Sequence, residues 1–99
     1  MIRHIVFFSA RDRADLDRIE AGLGTLAGIP HARHFELGRN LQSDTINDAE
    51  KAAVDVVVYA EFEDEAALAA YKAHPLYEEA IRLVRPLRRT RVAADFASG

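Results

Sequence analysis

The side chains best suited to chemistry are two histidines and two tyrosines: His4 near the start, and Tyr71, His74 and Tyr77 within the stretch Ala70-Tyr71-Lys72-Ala73-His74-Pro75-Leu76-Tyr77. An imidazole can take a proton near neutral pH, and a phenol can donate a hydrogen bond to a developing oxyanion. A histidine and a tyrosine facing each other in an apolar pocket could therefore share acid–base work. Each also has a plainer role. His4 can be held by a hydrogen bond inside the core. Tyr71 suits a half-buried helix position, His74 a helix C-terminus, where a cation is favoured, and Tyr77 simple packing.

Pro75 has no N–H and turns His74 away from the α region, so one helix should end there and another begin. Tyr71 and His74, three apart, share a side of the ending helix. Upstream, residues 2–9 read as a strand apolar on both faces, with Ile2, His4, Val6 and Phe8 on one and Ile5 and Phe7 on the other. The first face is assigned to the helices, which puts His4 on the side of Tyr71. Leu16, Ile19, Leu23 and Leu26 predict an amphipathic helix, capped by Asp12 or Asp15 and ended by Gly28 and Pro30. Gly22 and Gly24 within it would allow close approach to the sheet. A second strand is expected over 31–40, closed by Gly38-Arg39-Asn40, then a long polar loop over 41–52.

The strongest strand is 53–62, with Val54, Val56, Val58, Ala60 and Phe62 alternating against Asp55, Val57, Tyr59 and Glu61. Asp64 caps the next helix. After the His-Pro break, Leu76, Ala80, Leu83 and Val84 face inward until Pro86, and residues 88–96 form a last strand. The order β-α-β-β-α(α)-β is the split βαβ, ferredoxin-like motif. The fold class is thus α+β, one domain over 1–99, a ferredoxin-like sandwich with helices on one sheet face. The other face carries Ile5, Phe7, Val57 and Tyr59 and needs a partner.

The Tyr-x-x-His-Pro-x-Tyr motif resembles the stress-responsive α/β-barrel (Dabb) family. So do the opening Ile2-Arg3-His4-Ile5-Val6-Phe7-Phe8, the Gly38-Arg39-Asn40 triplet, the run Glu61-Phe62-Glu63-Asp64-Glu65-Ala66-Ala67-Leu68 and the ending Val92-Ala93-Ala94-Asp95-Phe96. The resemblance covers nearly the whole chain except 41–53. It implies a ferredoxin-like monomer that pairs through its sheet into a dimeric α/β barrel. Members of the family range from stress proteins without known activity to a polyketide cyclase. In the cyclase, the strand-one histidine, the motif tyrosine and the motif's last histidine line the pocket. The matching positions are His4, Tyr71 and Tyr77, so a tyrosine replaces the histidine that would be the base. A phenol titrating near ~10 is a poor base at neutral pH.

The chain has no cysteine, which excludes disulfides, thiolate metal sites and a Cys nucleophile. With 49% hydrophobic residues in 99, it carries more apolar material than one small core needs, which favours a homodimer. A net charge of −3 and one basic cluster over Arg82–Arg91 argue against a nucleic-acid partner. No apolar run reaches the ~18 residues of a membrane span and no signal peptide is evident, so a cytoplasmic location is the default. His31 and His34 fall on opposite faces of a strand, so no metal ligands are indicated, and no cofactor is implied. Some relatives do carry a magnesium ion at the dimer interface.

Two functions follow. The first is a homodimeric stress-responsive barrel protein binding a small apolar or aromatic molecule. Candidate catalytic residues are His4, Tyr71 and Tyr77; candidate ligand-binding residues are His74, Phe8, Leu68 and Leu83. The second is a cofactor-independent enzyme, cyclase-like, lyase or monooxygenase, using a His/Tyr pocket between sheet and helices.

Overall fold

The computed structural model describes residues 1–41 and 54–99. The chain runs β1 (Ile2–Ala10), α1 (Leu16–Gly24), β2 (His34–Arg39), β3 (Val56–Phe62), α2 (Glu65–Ala73), α3 (Pro75–Val84) and β4 (Arg88–Ala97). Short 3-10 turns, Arg13–Asp15 and Thr25–Gly28, flank α1. The strands form one four-stranded antiparallel sheet in the order β2-β3-β1-β4. This is the ferredoxin-like α+β arrangement. All of the expected loop except Leu41 lies outside the described residues.

Directly opposed residues in an antiparallel pair project to the same face. His4 lies between Ala60 and Asp95, Val6 between Val58 and Ala93, and Phe8 between Val56 and Arg91. This face turns to the helices, where Ile19, Leu23 and Leu26 from the first helical segment meet Leu68, Tyr71, Ala80 and Val84 from α2 and α3. Val56, Ala60, Phe62, Ile19 and Tyr71 are wholly buried. Each large apolar side chain so buried contributes about 1.5–3 kcal/mol. The opposite face leaves Phe7 37%, Val92 54% and Phe96 48% exposed.

Several local expectations shift. Asp12 caps the turn before α1, its carboxylate accepting from the Ala14 N–H at 2.9 Å, while the Asp15 side chain makes no capping bond. β2 starts at His34 rather than at residue 31. The Arg33 N–H reaches the Glu61 carbonyl at 2.8 Å, and in that register His31 and Ala32 run past the end of β3, with no ladder to join. β3 starts at Val56, and Asp55 turns inward as a buried clamp. Its carboxylate accepts from the Ala10 N–H at 2.9 Å and from Arg13 Nη1 at 3.1 Å, tying the end of β1 to the start of β3. Gly22 serves helix–helix packing, not the sheet: a Cβ there would stand 2.8 Å from Val84 Cγ2 and 3.2 Å from Leu83 Cβ. Gly24 has open space around it. Leu83, expected inward, lies beside Gly22 and is 37% exposed.

Candidate functional site

The break between α2 and α3 sets the site. His74 is extended (φ −70°, ψ 142°), and its N–H closes α2 on the Tyr71 carbonyl at 3.2 Å. Its ring Nδ1 accepts from the Leu76 N–H at 3.1 Å, so the side chain caps the start of α3 and not the end of α2. Pro75 takes the first turn of α3, where its missing N–H costs nothing. With the ring so held, and facing His31 at 6.2 Å, His74 stands outside the cavity described next.

Between the sheet and the helices lies a cavity of about 370 Å³. That is at the small end of the roughly 300–1,000 Å³ usual for small-molecule sites. His4, Val6 and Phe8 of β1 and Val58 of β3 line the sheet side, Leu23 and Leu26 one end, and Tyr71, Tyr77, Ala80, Ile81 and Val84 the helix side. The structure thus brings His4, Tyr71, Tyr77 and Phe8 together. Leu68 is buried in the core and Leu83 lies at the α1–α3 contact; like His74, neither is on the cavity lining. Leu68 and Leu83 are thereby displaced because α2 and α3 turn Tyr71, Tyr77, Ala80 and Val84 toward the sheet instead.

The aromatic rings stack edge to face. Tyr71 lies 6.1 Å from His4, 4.9 Å from Phe62 and 5.5 Å from Tyr77. His4 is 2% exposed, and its Nδ1 bonds Asp95 Oδ1 across the β1–β4 pair. A carboxylate accepts, so the Nδ1 edge carries the proton, and Nε2 is the acceptor of the ring in its neutral form. Lys72 Nζ stands 3.7 Å from the other oxygen of Asp95. Tyr77 accepts a hydrogen bond from Arg91 Nη2 at 3.3 Å.

Tyr71 differs from its neighbours. It is 0% exposed, and its hydroxyl has no hydrogen-bond partner among the described residues. Burial pushes its phenol well above the ordinary tyrosine range, Tyr77 pushes the same way, and Arg91 opposes weakly. At neutral pH the group is therefore an O–H donor, on a residue that lines the cavity, with no acceptor among the described residues. Leaving such a group unmade costs about 1–3 kcal/mol.

Two features of the site are not visible in the sequence. Asp95 lies on β4, and only the register against β1 sets it opposite His4. Arg88 and Arg91 have opposite parity, so a regular strand would send them to opposite faces. The register slips between Ser9 and Ala10: Thr90 pairs with Ser9, Arg88 with Ala10, and Arg89 is left over. That irregularity returns Arg88 to the side of Arg91, and both border the cavity along with Lys72 and Arg85. The run of arginines was visible in the sequence, but the bulge was not. Among the described residues no cluster of His, Asp or Glu could hold a metal ion, and no helix is long and apolar enough to cross a membrane.

The sequence pattern of the stress responsive A/B barrel domain (Dabb) matches residues 2–98. Among solved structures, the chain is similar to a dimeric ferredoxin-like protein of unknown function from Thermobifida fusca. The two are 29% identical with a TM-score of 0.75, over 98% of this chain and 90% of that one. A Dabb family protein with a ferredoxin-like fold from Mesorhizobium loti is 24% identical, with a TM-score of 0.75 over 98% and 95% of the two chains. A hydroxynitrile lyase from Passiflora edulis is 21% identical, with a TM-score of 0.74 over 96% and 90%. The last two likenesses carry the fold alone. No curated protein is similar enough in sequence to match.

Proposed function

The chain belongs to the stress responsive A/B barrel domain family, and from that premise we propose that it acts as a single-domain homodimer binding a small apolar or aromatic molecule between sheet and helices. One observation carries the reading: Tyr71 lines a cavity that is part apolar and part polar, and its buried hydroxyl has no hydrogen-bond partner among the described residues. A ligand carbonyl or hydroxyl would complete that hydrogen bond, while Val6, Phe8, Leu26 and Val84 supply the apolar contact.

Dimerisation is supported by the outer sheet face. Ile5, Phe7, Val57, Val92 and Phe96 form an apolar surface there, and the Thermobifida fusca relative is described as dimeric. At one edge, Arg3 Nη1 donates to Tyr59 Oη at 2.5 Å and to Glu61 Oε2 at 2.7 Å, so the charges on that face arrive already paired.

A second reading, a cofactor-independent enzyme, is favoured by the His4–Asp95 contact beside Tyr71. Asp95 orients the ring, Nε2 of His4 would take a proton from a substrate carbon or hydroxyl, and the Tyr71 O–H would stabilise the oxyanion that forms. Tyr77, a phenol bonded to Arg91, takes no part as base in this scheme.

Calorimetric titration of wild type and Tyr71→Phe with uncharged aromatic probes such as 4-butylbenzamide tests the binding reading. Binding that weakens about five- to tenfold on loss of one hydrogen bond agrees with it. Absence of binding by folded wild type contradicts it.

A further inference from the structure

The cavity carries more positive charge than its surroundings neutralise. Arg85, Arg88 and Arg91 border it, and none of them has an ion-pair partner among the described residues. Their neighbours do: Arg82 is closed by Glu79, and Lys72 stands by Asp95, which itself holds His4. Among the described residues, the Arg91 side chain reaches only the Tyr77 hydroxyl. The Arg88 guanidinium is pushed below its ordinary range, first by burial and then by Arg85, Arg91 and Arg11. Gathering like charges beside an apolar cavity is unfavourable unless something negative belongs there. The bulge that turns Arg88 and Arg91 to one side is what produces the arrangement.

We propose that the ligand of this cavity is a small acid, with an apolar ring or short chain inside and an oxyanion head held at the rim by Arg88 and Arg91. The proposal rests on the cavity being a binding site and names the class of molecule it takes. Guanidinium forks suit both carboxylate and phosphate, and the volume suits a body of about one ring. The buried donor of Tyr71 then meets a polar substituent on the body, and the arginines meet the head.

Three probes separate the possibilities by titration calorimetry in low salt: 4-butylbenzoate, 4-butylphenyl phosphate and uncharged 4-butylbenzamide. We expect at least one acid to bind about tenfold or more tighter than the amide, as charge-assisted hydrogen bonds would give. Raising salt to about 0.5 M should shrink that advantage. In Arg88→Gln/Arg91→Gln the advantage should vanish while amide binding stays. Which acid wins tells carboxylate from phosphate, and either supports the proposal. Equal binding of acids and amide overturns it and leaves the cavity reading standing. No binding of any probe by folded protein overturns both. An acid preference that survives in the double variant also overturns it, because the head must then sit elsewhere. Arg91→Gln alone, at an exposed strand position, gives the same comparison if the double variant does not fold.

Discussion

Asp95 on the edge strand meets the Nδ1 edge of His4 on the neighbouring central strand, and the β1–β4 register sets the two opposite each other. The imidazole is buried and the carboxylate is about a third exposed. Removing Asp95 therefore leaves a buried donor without an acceptor. Asp95→Ala should cost about 1–3 kcal/mol in urea unfolding. Asp95→Asn, whose amide oxygen can still accept, should cost less. Equal stability of Asp95→Ala and wild type would show that the pair does not hold His4.

Tyr71→Phe should behave unusually. Tyrosine-to-phenylalanine changes in a core often lose a hydrogen bond; here none exists among the described residues. The variant should match or exceed wild-type stability, by up to about 1 kcal/mol, because a dehydrated hydroxyl disappears. A loss beyond about 1 kcal/mol in chemical denaturation would mean that the hydroxyl has a partner in solution.

The same phenol imposes a pH dependence. Its value in the folded protein is raised above the ordinary 10.0, so above that pH the folded state holds a proton that the unfolded state releases. The contribution is full below the unfolded value and is lost as pH rises toward the folded one. Between pH 9 and 11.5, wild-type stability should fall more steeply than that of Tyr71→Phe. Parallel melting curves for the two proteins would contradict this.

Gly22 and Gly24 make a matched pair. Both lie in α1, where alanine is favoured by about 1 kcal/mol over glycine. At Gly24 nothing stands within 4 Å of an added Cβ, so Gly24→Ala should gain about 0.5–1 kcal/mol. At Gly22 the Cβ would meet Val84 Cγ2 at 2.8 Å across the α1–α3 contact, so Gly22→Ala should lose about 1–3 kcal/mol. The opposite signs in thermal unfolding are the test.

The proposed dimer has its own test. Phe7 and Val92 oppose each other on the outer sheet face. Phe7→Asp would set a charge in that apolar surface and should weaken association about a hundredfold or more, as seen by sedimentation velocity. An unchanged dimer would place the interface elsewhere.

Much of the fold was legible because its signals are local. The two-residue period of β1 and β3, the Asp64 cap and the His74-Pro75 break each declare themselves within a few residues. The side on which His4 meets Tyr71 followed from the phase of a single strand. What escaped depends on how distant segments meet. The partner of His4 is ninety-one residues away and known only through strand register. The convergence of Arg88 and Arg91 needs a bulge that leaves no glycine or proline to mark it. The role of Gly22 was assigned to the sheet because composition shows that a close approach is allowed, not which element makes it. His74 looked like a cation at a helix end, whereas the extended backbone before Pro75 swings its ring to the next helix.

The cavity lined by His4, Tyr71 and Tyr77 is proposed to take up a small apolar molecule. The protein's three tyrosines report on it directly, because Tyr71 and Tyr77 line the cavity while Tyr59 lies on the outer face. In a protein with labelled tyrosine rings, NMR titration with 4-butylbenzamide should move the Tyr71 and Tyr77 signals together and saturably, leaving Tyr59 still. Movement of Tyr59 alone, or no movement at saturating probe, would contradict the account.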